Sequence, residues 1–235
     1  MSRTVAAAIE DLCARFQQAD IDSARLDARL LIAHATGRTP DETRIRGDQL
    51  LSTIQNAEIE VLAQRRTDRE PISQILGYRE FWSLSFRVNR HVLTPRPETE
   101  TLVEAALDYI DPTIPIRIAD LGTGSGCILL SLLSERSHAT GVGFDIDQKA
   151  CETAQMNAVD LGLSDRAEFV HADWTGPLAG QFDLVLSNPP YIARYEIPSL
   201  DREVGAFEPQ LALVGGEDGL DAYRALAKVI PVILK

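Results

Sequence analysis

Cysteine, histidine and long apolar runs are all scarce in this chain, and each shortage excludes something. The three cysteines, Cys13, Cys127 and Cys151, are odd in number and far apart. No Cys-x-x-Cys pair occurs, which argues against a zinc site or a disulfide framework and for a reducing compartment, so a cytoplasmic protein is expected. The four histidines, His34, His91, His138 and His171, are scattered and make no triad with a nucleophile, and no metal site is expected. No run approaches the ~20 apolar residues that span a bilayer. Met1 to Glu10 lacks a basic stretch followed by an apolar one, so it does not read as a signal peptide. Lysine is missing from residues 1–96, where 14 arginines face 13 acids for a net charge of +1. Residues 97–235 hold 9 basic and 22 acidic side chains, a net of −13, and the whole chain carries −12. An acidic half is a poor platform for phosphate backbones. Neither direct nucleic-acid contact nor membrane contact is expected.

The 235 residues, 45% hydrophobic and 25% charged, suit one large domain or a medium domain plus a small one. Residues 1–70 show helical periodicity and almost no strand signal. Thr4 to Gln17 places Val5, Ile9, Leu12 and Phe16 on one face. Asp22 can cap a second helix that has Leu26, Leu30 and Ile32 inside and ends at Gly37. Thr39-Pro40 opens a short third helix. Ser52 to Arg66 makes a fourth with Ile54, Ala57, Val61 and Leu62 inward, and Pro71 opens a fifth. The Tyr78 to Val88 stretch, with Phe81-Trp82-Ser83-Leu84-Ser85-Phe86, is aromatic and reads as a hairpin. Pro97 can start a helix running to about Tyr109.

From Ile116 onward strands and helices alternate. Strands are expected at Ile116 to Asp120, Thr140 to Ile146, Ala167 to His171 and Phe182 to Ser187. Helices are expected at Cys127 to Glu135 and Gln148 to Leu161. Alternation of this kind implies a doubly wound, mostly parallel α/β sheet. The final helical stretch, Leu220 to Leu234, stops at Lys235 where such a sheet normally continues, so further C-terminal strands are expected to be missing.

Three strand ends carry candidate ligand-binding groups. Asp120-Leu121-Gly122-Thr123-Gly124-Ser125-Gly126 sits between a strand and a helix, where glycines admit a ligand to the backbone and the helix start offers free N–H groups. Nucleotide-binding dehydrogenases share such a loop. Asp145 follows at the end of the next strand, positioned to accept from ribose hydroxyls, although Asp147 nearby can serve as a helix cap. Asp173-Trp174 follows the third strand and can bond an adenine amino group and cover its ring. The fourth strand ends in Asn188-Pro189-Pro190-Tyr191.

That last tetrapeptide resembles the signature of amino-methylating S-adenosyl-L-methionine (AdoMet) enzymes. Taken with Phe81-Trp82, Pro95-Arg96-Pro97-Glu98-Thr99-Glu100 and Phe207-Glu208-Pro209, it closely resembles the HemK/PrmC family of release-factor N5-glutamine methyltransferases. The resemblance is strong over about residues 75–225. It implies a class I, Rossmann-like AdoMet-dependent methyltransferase domain over 93–235, a linker hairpin over 76–92 and a helical substrate-recognition domain over 1–75. It implies AdoMet as cofactor, S-adenosyl-L-homocysteine as product, and a peptide chain release factor as protein partner of a monomeric enzyme. Asp120, Gly122, Thr123, Gly124, Gly126, Asp145, Asp173, Trp174 and Asn188 would bind the cofactor. Phe81 would line the stem of the substrate glutamine, or else belong to the hairpin core. Glu98 and Thr99 would face the amino-acid end of the cofactor, with Glu98 also counted toward the substrate, or else serve as the polar start of a helix, and Arg96 would be a structural partner of that loop.

The residue chemistry agrees. An amide nitrogen is a poor nucleophile because its lone pair is delocalised. The Asn188 side-chain oxygen and the Pro189 carbonyl can accept its two N–H bonds and turn the lone pair outward. Pro189 and Pro190 stiffen the loop, and Tyr191 can pack on the planar amide. The alternatives are adenine-N6 or guanine-N2 methylation of nucleic acid, methylation of a ribosomal-protein glutamine, and a non-catalytic AdoMet-binding module. The first needs a basic channel, which the −13 half does not supply. The last predicts a damaged acceptor loop, and Asn188 to Tyr191 is intact.

Overall fold

A computed structural model describes residues 3–174, 178 and 180–235. The chain divides into two compact units, Met1–Leu76 and Gly77–Lys235.

The first unit is helical. α1 (Val5–Gln18) starts at Thr4, whose hydroxyl accepts the Ala7 N–H. α2 (Ala24–Thr36) ends at Gly37, which adopts the left-handed conformation that lacks steric cost only for glycine. α3 (Pro40–Ile45) and α4 (Thr53–Thr67) each begin with a reciprocal capping box, Thr39 with Glu42 and Ser52 with Gln55. α5 spans Ile72–Leu76. Val5, Leu12, Phe16, Leu31, Ile32 and Ile59 form a core with no exposed surface. Inside it lies an ion pair: Arg66 Nε donates to Asp27 at 2.7 Å, with both side chains almost wholly buried.

Two sequence expectations fail here. Ser23, not Asp22, precedes α2, and Leu26 points outward. On α4 the buried stripe is Ile59, Leu62, Ala63 and Arg66, while Ile54 is 80% and Val61 63% exposed. Ile54 and Val61 are seven residues apart and so share a face. It is the outer one, shared with the exposed Ala57, while the inner stripe includes the buried Arg66.

The second unit opens with an antiparallel hairpin, β1 (Tyr78–Phe81) and β2 (Leu84–Arg87). Its turn residues Trp82 and Ser83 have φ of 53° and 59°, a conformation that usually selects Asn-Gly. Glu100 compensates by accepting the Trp82 N–H at 2.8 Å, and Glu135 accepts from the indole at 2.9 Å. A 3₁₀ turn over Pro97–Thr99 leads into α6 (Glu100–Tyr109).

β3 (Arg117–Leu121), α7 (Cys127–Glu135), β4 (Thr140–Asp145), α8 (Gln148–Asp160), β5 (Ala167–His171) and β6 (Leu184–Ser187) then alternate. The four strands are all parallel, in the order β5-β4-β3-β6. α7 is buried nearly all round, and Leu129 fills the space above Gly141 on β4 that a Cβ would occupy. α9 (Arg202–Phe207), α10 (Gln210–Leu213) and α11 (Asp221–Ile233) complete the unit. The chain leaves β3 toward β4 and β5 on one side and later returns to place β6 on the other. Such a switch opens a crevice beyond the carboxyl ends of the strands, where open α/β sheets bind ligands.

Candidate functional site

The loop after β3 closes onto β4. The N–H groups of Gly122 and Thr123 both donate to the Phe144 carbonyl, at 2.8 and 3.0 Å. Gly122, Gly124 and Gly126 all have positive φ, so the three glycines are conformational requirements. Gly126 is the residue before α7, and Asp120 is fully buried beneath the loop, accepting the Thr123 hydroxyl at 2.7 Å. Burial, with a smaller contribution from the Asp145 charge, pushes the Asp120 carboxyl up to about 7 against the opposing Thr123 bond. Asp145 ends β4 and ties the loop down: one oxygen accepts the Gly124 N–H and the other the Asp147 N–H, each at 2.9 Å. Each oxygen keeps a further lone-pair direction. Burial raises the Asp145 pKa, opposed by those backbone bonds. Asp147 accepts the Lys149 N–H and caps α8. The Trp174 ring lies so close over Gly122 that a Cβ there would stand 2.7 Å from it.

These groups surround one cavity of about 340 Å³. Gly122, Thr123, Gly124, Asp145, Asp173, Trp174 and Asn188 all line it. A second cavity, of about 450 Å³, is walled by Glu98, Thr99, Asn188, Pro189, Tyr191 and Leu213 among others. Leu93, Arg96, Thr99, Asn188 and Ala212 border both. Asn188 therefore stands where the two meet. Its Nδ2 donates to the Thr99 hydroxyl at 3.3 Å, which turns the side-chain oxygen away from that partner. Ser187 just before it is held to β3 through a 2.6 Å bond to the Leu121 carbonyl.

Family models match both parts of the chain: "PrmC N-terminal domain" over residues 7–77 and "Methyltransferase small domain" over residues 99–200. The chain is 48% identical over 227 residues to a release factor glutamine methyltransferase of Bradyrhizobium diazoefficiens, covering 95% of this chain and 76% of that protein. It is 45% identical to the protein of that name from Caulobacter vibrioides, covering 94% and 77% respectively. It belongs to the release factor glutamine methyltransferase family. Among solved structures, the hMettl16 catalytic domain in complex with MAT2A 3'UTR hairpin 6 superposes with a TM-score of 0.57 over 87% of this chain and 76% of that one. At 19% identity that likeness concerns the fold alone. The HemK/PrmC resemblance and the class I methyltransferase fold expected from the sequence both hold.

Within the family framework, the structure separates the sequence candidates by position. Asp120 and Gly126 line neither cavity; they shape the loop from behind. Phe81 is 1% exposed and packs edge-on against Phe86. It lines neither cavity, because the alternating pleat of the hairpin turns it into the core. Pro190 also borders neither, and its carbonyl lies against Gly215. Tyr191 is 61% exposed at the rim of the second cavity. Arg96 is fixed by a 2.6 Å ion pair to the nearly fully buried Glu208. Burial raises the Glu208 pKa, and the Arg96 charge opposes it.

Part of the first cavity escaped sequence reasoning. Its wall includes His91 and Val92 from the segment after β2, and Leu211, Asp221 and Ala222 near α10 and α11. The signal for the latter was the run Gly215-Gly216-Glu217-Asp218-Gly219. A Cβ on Gly216 would meet the Asp221 carboxylate at 1.9 Å, and one on Gly219 the Tyr191 carbonyl at 2.4 Å. Glycines at these points let the chain after Tyr191 and the start of α11 close against each other.

Proposed function

We propose that this chain transfers a methyl group from AdoMet to the side-chain amide nitrogen (N5) of the glutamine in a Gly-Gly-Gln motif of a peptide chain release factor. The carrying observation is that Asn188 borders both cavities, so one side chain can touch donor and acceptor at once. The first cavity suits AdoMet by charge. Asp145, Asp147, Asp173 and Asp221 line it, against Arg96 and His91, and these two already face Glu208 and Asp147. An excess of carboxylates favours a sulfonium and an ammonium and disfavours the diphosphate of a dinucleotide. Gly122 and Gly124 would admit the donor to the backbone, Asp145 would take the ribose hydroxyls, and Asp173 and Trp174 the adenine. When bound, AdoMet supplies an electrophilic methyl group on a positively charged sulfur.

The chain's own residues then have two tasks. The Asn188 side-chain oxygen and the Pro189 carbonyl accept the two N–H bonds of the glutamine amide and hold its nitrogen toward the first cavity. Positive charge grows on that nitrogen as it takes the methyl carbon from sulfur, so both acceptors bind the transition state more strongly than the ground state. One N–H proton then leaves along an acceptor's hydrogen bond toward solvent, which leaves a neutral N-methyl amide beside a neutral thioether. Proline at 189 and 190 restricts the backbone that carries these acceptors. Glu98, Thr99 and Tyr191 line the second cavity and would bound the glutamine stem and amide face. Nothing in this arrangement calls for a metal.

Among its described residues the helical unit shows no cavity comparable to these two, and its role in this reading is recognition of the release factor by a cytoplasmic, monomeric enzyme. No described helix is long and apolar enough to cross a membrane. The test is transfer of label from AdoMet to a purified release factor. Label is expected on the wild-type factor and absent when its Gly-Gly-Gln glutamine is alanine. Equal labelling of both would refute the assignment. Removing residues 1–75 is expected to raise KM for the whole release factor far more than it weakens AdoMet binding. A collapse of AdoMet affinity with the remaining unit still folded would refute the division of labour.

A further inference from the structure

Asn157 lies on α8, is fully buried and borders neither cavity. Its Oδ1 accepts the backbone N–H of Arg87 at 2.7 Å, and its Nδ2 donates to the Arg87 carbonyl at 3.2 Å and to the Ser125 carbonyl at 2.8 Å. Arg87 is the last residue of β2, and Ser125 belongs to the glycine loop. The segment after β2 is pinned to the same helix one turn earlier. Asn89 donates to the Thr153 hydroxyl at 2.9 Å while its Oδ1 accepts the His91 N–H at 2.8 Å. Val88 and Val92 cluster with Ala150 on that helix face. This pinned segment supplies His91, Val92 and Leu93 to the wall of the donor cavity, and the glycine loop supplies Gly122 to Ser125. Asn157 is thus a buried amide bonded at once to the strand that leads into one wall and to the loop that forms another.

We propose that Asn157 is a positioning residue that sets AdoMet affinity by fixing the segment at 87–93 relative to the glycine loop. The proposal rests on the reading of the first cavity as the AdoMet site. Only an amide fits the role, because the site presents one N–H to be accepted and two carbonyls to be met by donors. A carboxylate of the same shape can still accept the Arg87 N–H, but it puts an oxygen against both the Arg87 and the Ser125 carbonyls. It therefore loosens the tie between the end of β2 and the loop while leaving the side-chain volume in place.

The test measures AdoMet affinity by calorimetry in the wild-type chain, Asn157→Asp, Asn157→Ala and Leu163→Ala, with the melting temperature of each. Leu163 is a buried core residue just beyond the C-terminal end of α8 and serves as a control for lost stability. The Asp variant is expected to weaken AdoMet binding by ~10-fold or more, as the loss of a buried hydrogen bond to the loop implies. At saturating AdoMet its kcat is expected to stay within about threefold of wild type, since the acceptor groups are untouched. Leu163→Ala is expected to melt earlier with an affinity within about twofold of wild type. In a Trp82→Phe background, emission of Trp174, which lies on Gly122, is expected to shift in Asn157→Asp and not in Leu163→Ala. Unchanged affinity in Asn157→Asp would overturn the positioning role, as would an equal loss in Leu163→Ala. If Asn157→Ala does not fold, Asn157→Asp decides alone. Failure of the wild-type chain to bind AdoMet would instead refute the reading of the cavity.

Discussion

Replacing Asn188 by alanine separates donor binding from chemistry. The substitution deletes one of two acceptors for the substrate amide and leaves the glycine loop and its bonds to Phe144 and Asp145 in place. Removing one preorganised transition-state partner costs about 10²–10³ in kcat, or roughly 3–4 kcal/mol. AdoMet affinity should change little, because the other lining groups of the first cavity sit on different strand ends. Thr99→Val tests the support behind Asn188. It removes only the 3.3 Å bond that orients the amide, a neutral bond worth about 1 kcal/mol, so a loss of about fivefold in kcat is expected. Once Asn188 is alanine, Thr99→Val should have no further effect on kcat, since the two act as one unit. Asn188→Asp keeps an acceptor, loses the donor to Thr99 and adds a negative charge beside a cationic cofactor. It is expected to tighten AdoMet binding while activity still falls. The assay is single-turnover methylation of a release factor with AdoMet affinity measured separately. Near-normal turnover in Asn188→Ala, or a loss explained wholly by weaker AdoMet binding, would refute the amide-positioning argument.

Two further outcomes concern stability. Asp120 has a folded pKa raised by burial to about 7, well above its ordinary value of 3.8. A raised carboxyl stabilises the fold fully below the unfolded value and loses that contribution as pH rises through about 7. Asp120→Asn should therefore flatten the fall in stability between about pH 4 and 7; urea unfolding across that range checks it, and an unchanged slope would refute the buried titration. In the helical unit, Asp27→Ala leaves Arg66 buried without its 2.7 Å partner, which should cost about 3–5 kcal/mol. Asp27→Ala with Arg66→Met should recover much of that loss in thermal unfolding, and no recovery would mean that the pair is not the source.

Alternation of strands and helices after residue 115 was legible because each element is bounded by a turn or cap that the local sequence announces. Thr39-Pro40, Gly37 and the glycine loop act within a few residues, so no tertiary information was needed to place them. Ile54 and Val61 were misassigned because apolar character alone does not tell an inner helix face from an outer one. The inner face of α4 includes a charged residue, Arg66, whose partner Asp27 is 39 positions away. The first cavity was legible where its walls are strand ends and illegible where they come from long-range closure. His91, Leu211 and Asp221 carry no motif; backbone packing of Gly215, Gly216 and Gly219 and the bonds from Asn89 and Asn157 bring them there. Phe81 shows the reverse case: a residue with a family role by resemblance that the pleat of its strand buries.

Cys127 opens α7 and lines the same cavity as the proposed methyl donor. Burial pushes its thiol up to about 12. A thiolate is a far stronger nucleophile than any amide nitrogen, and a sulfonium methyl beside one invites self-alkylation. A thiol raised that far stays protonated at neutral pH. The apolar packing at the start of α7 thus bears on chemoselectivity as well as on fold. An enzyme built to methylate a sluggish amide must keep every better acceptor within reach of the donor protonated. A substitution that admits water or a cation next to Cys127 would open a route to suicide inactivation, readable as a gain of one methyl group in the mass of the enzyme.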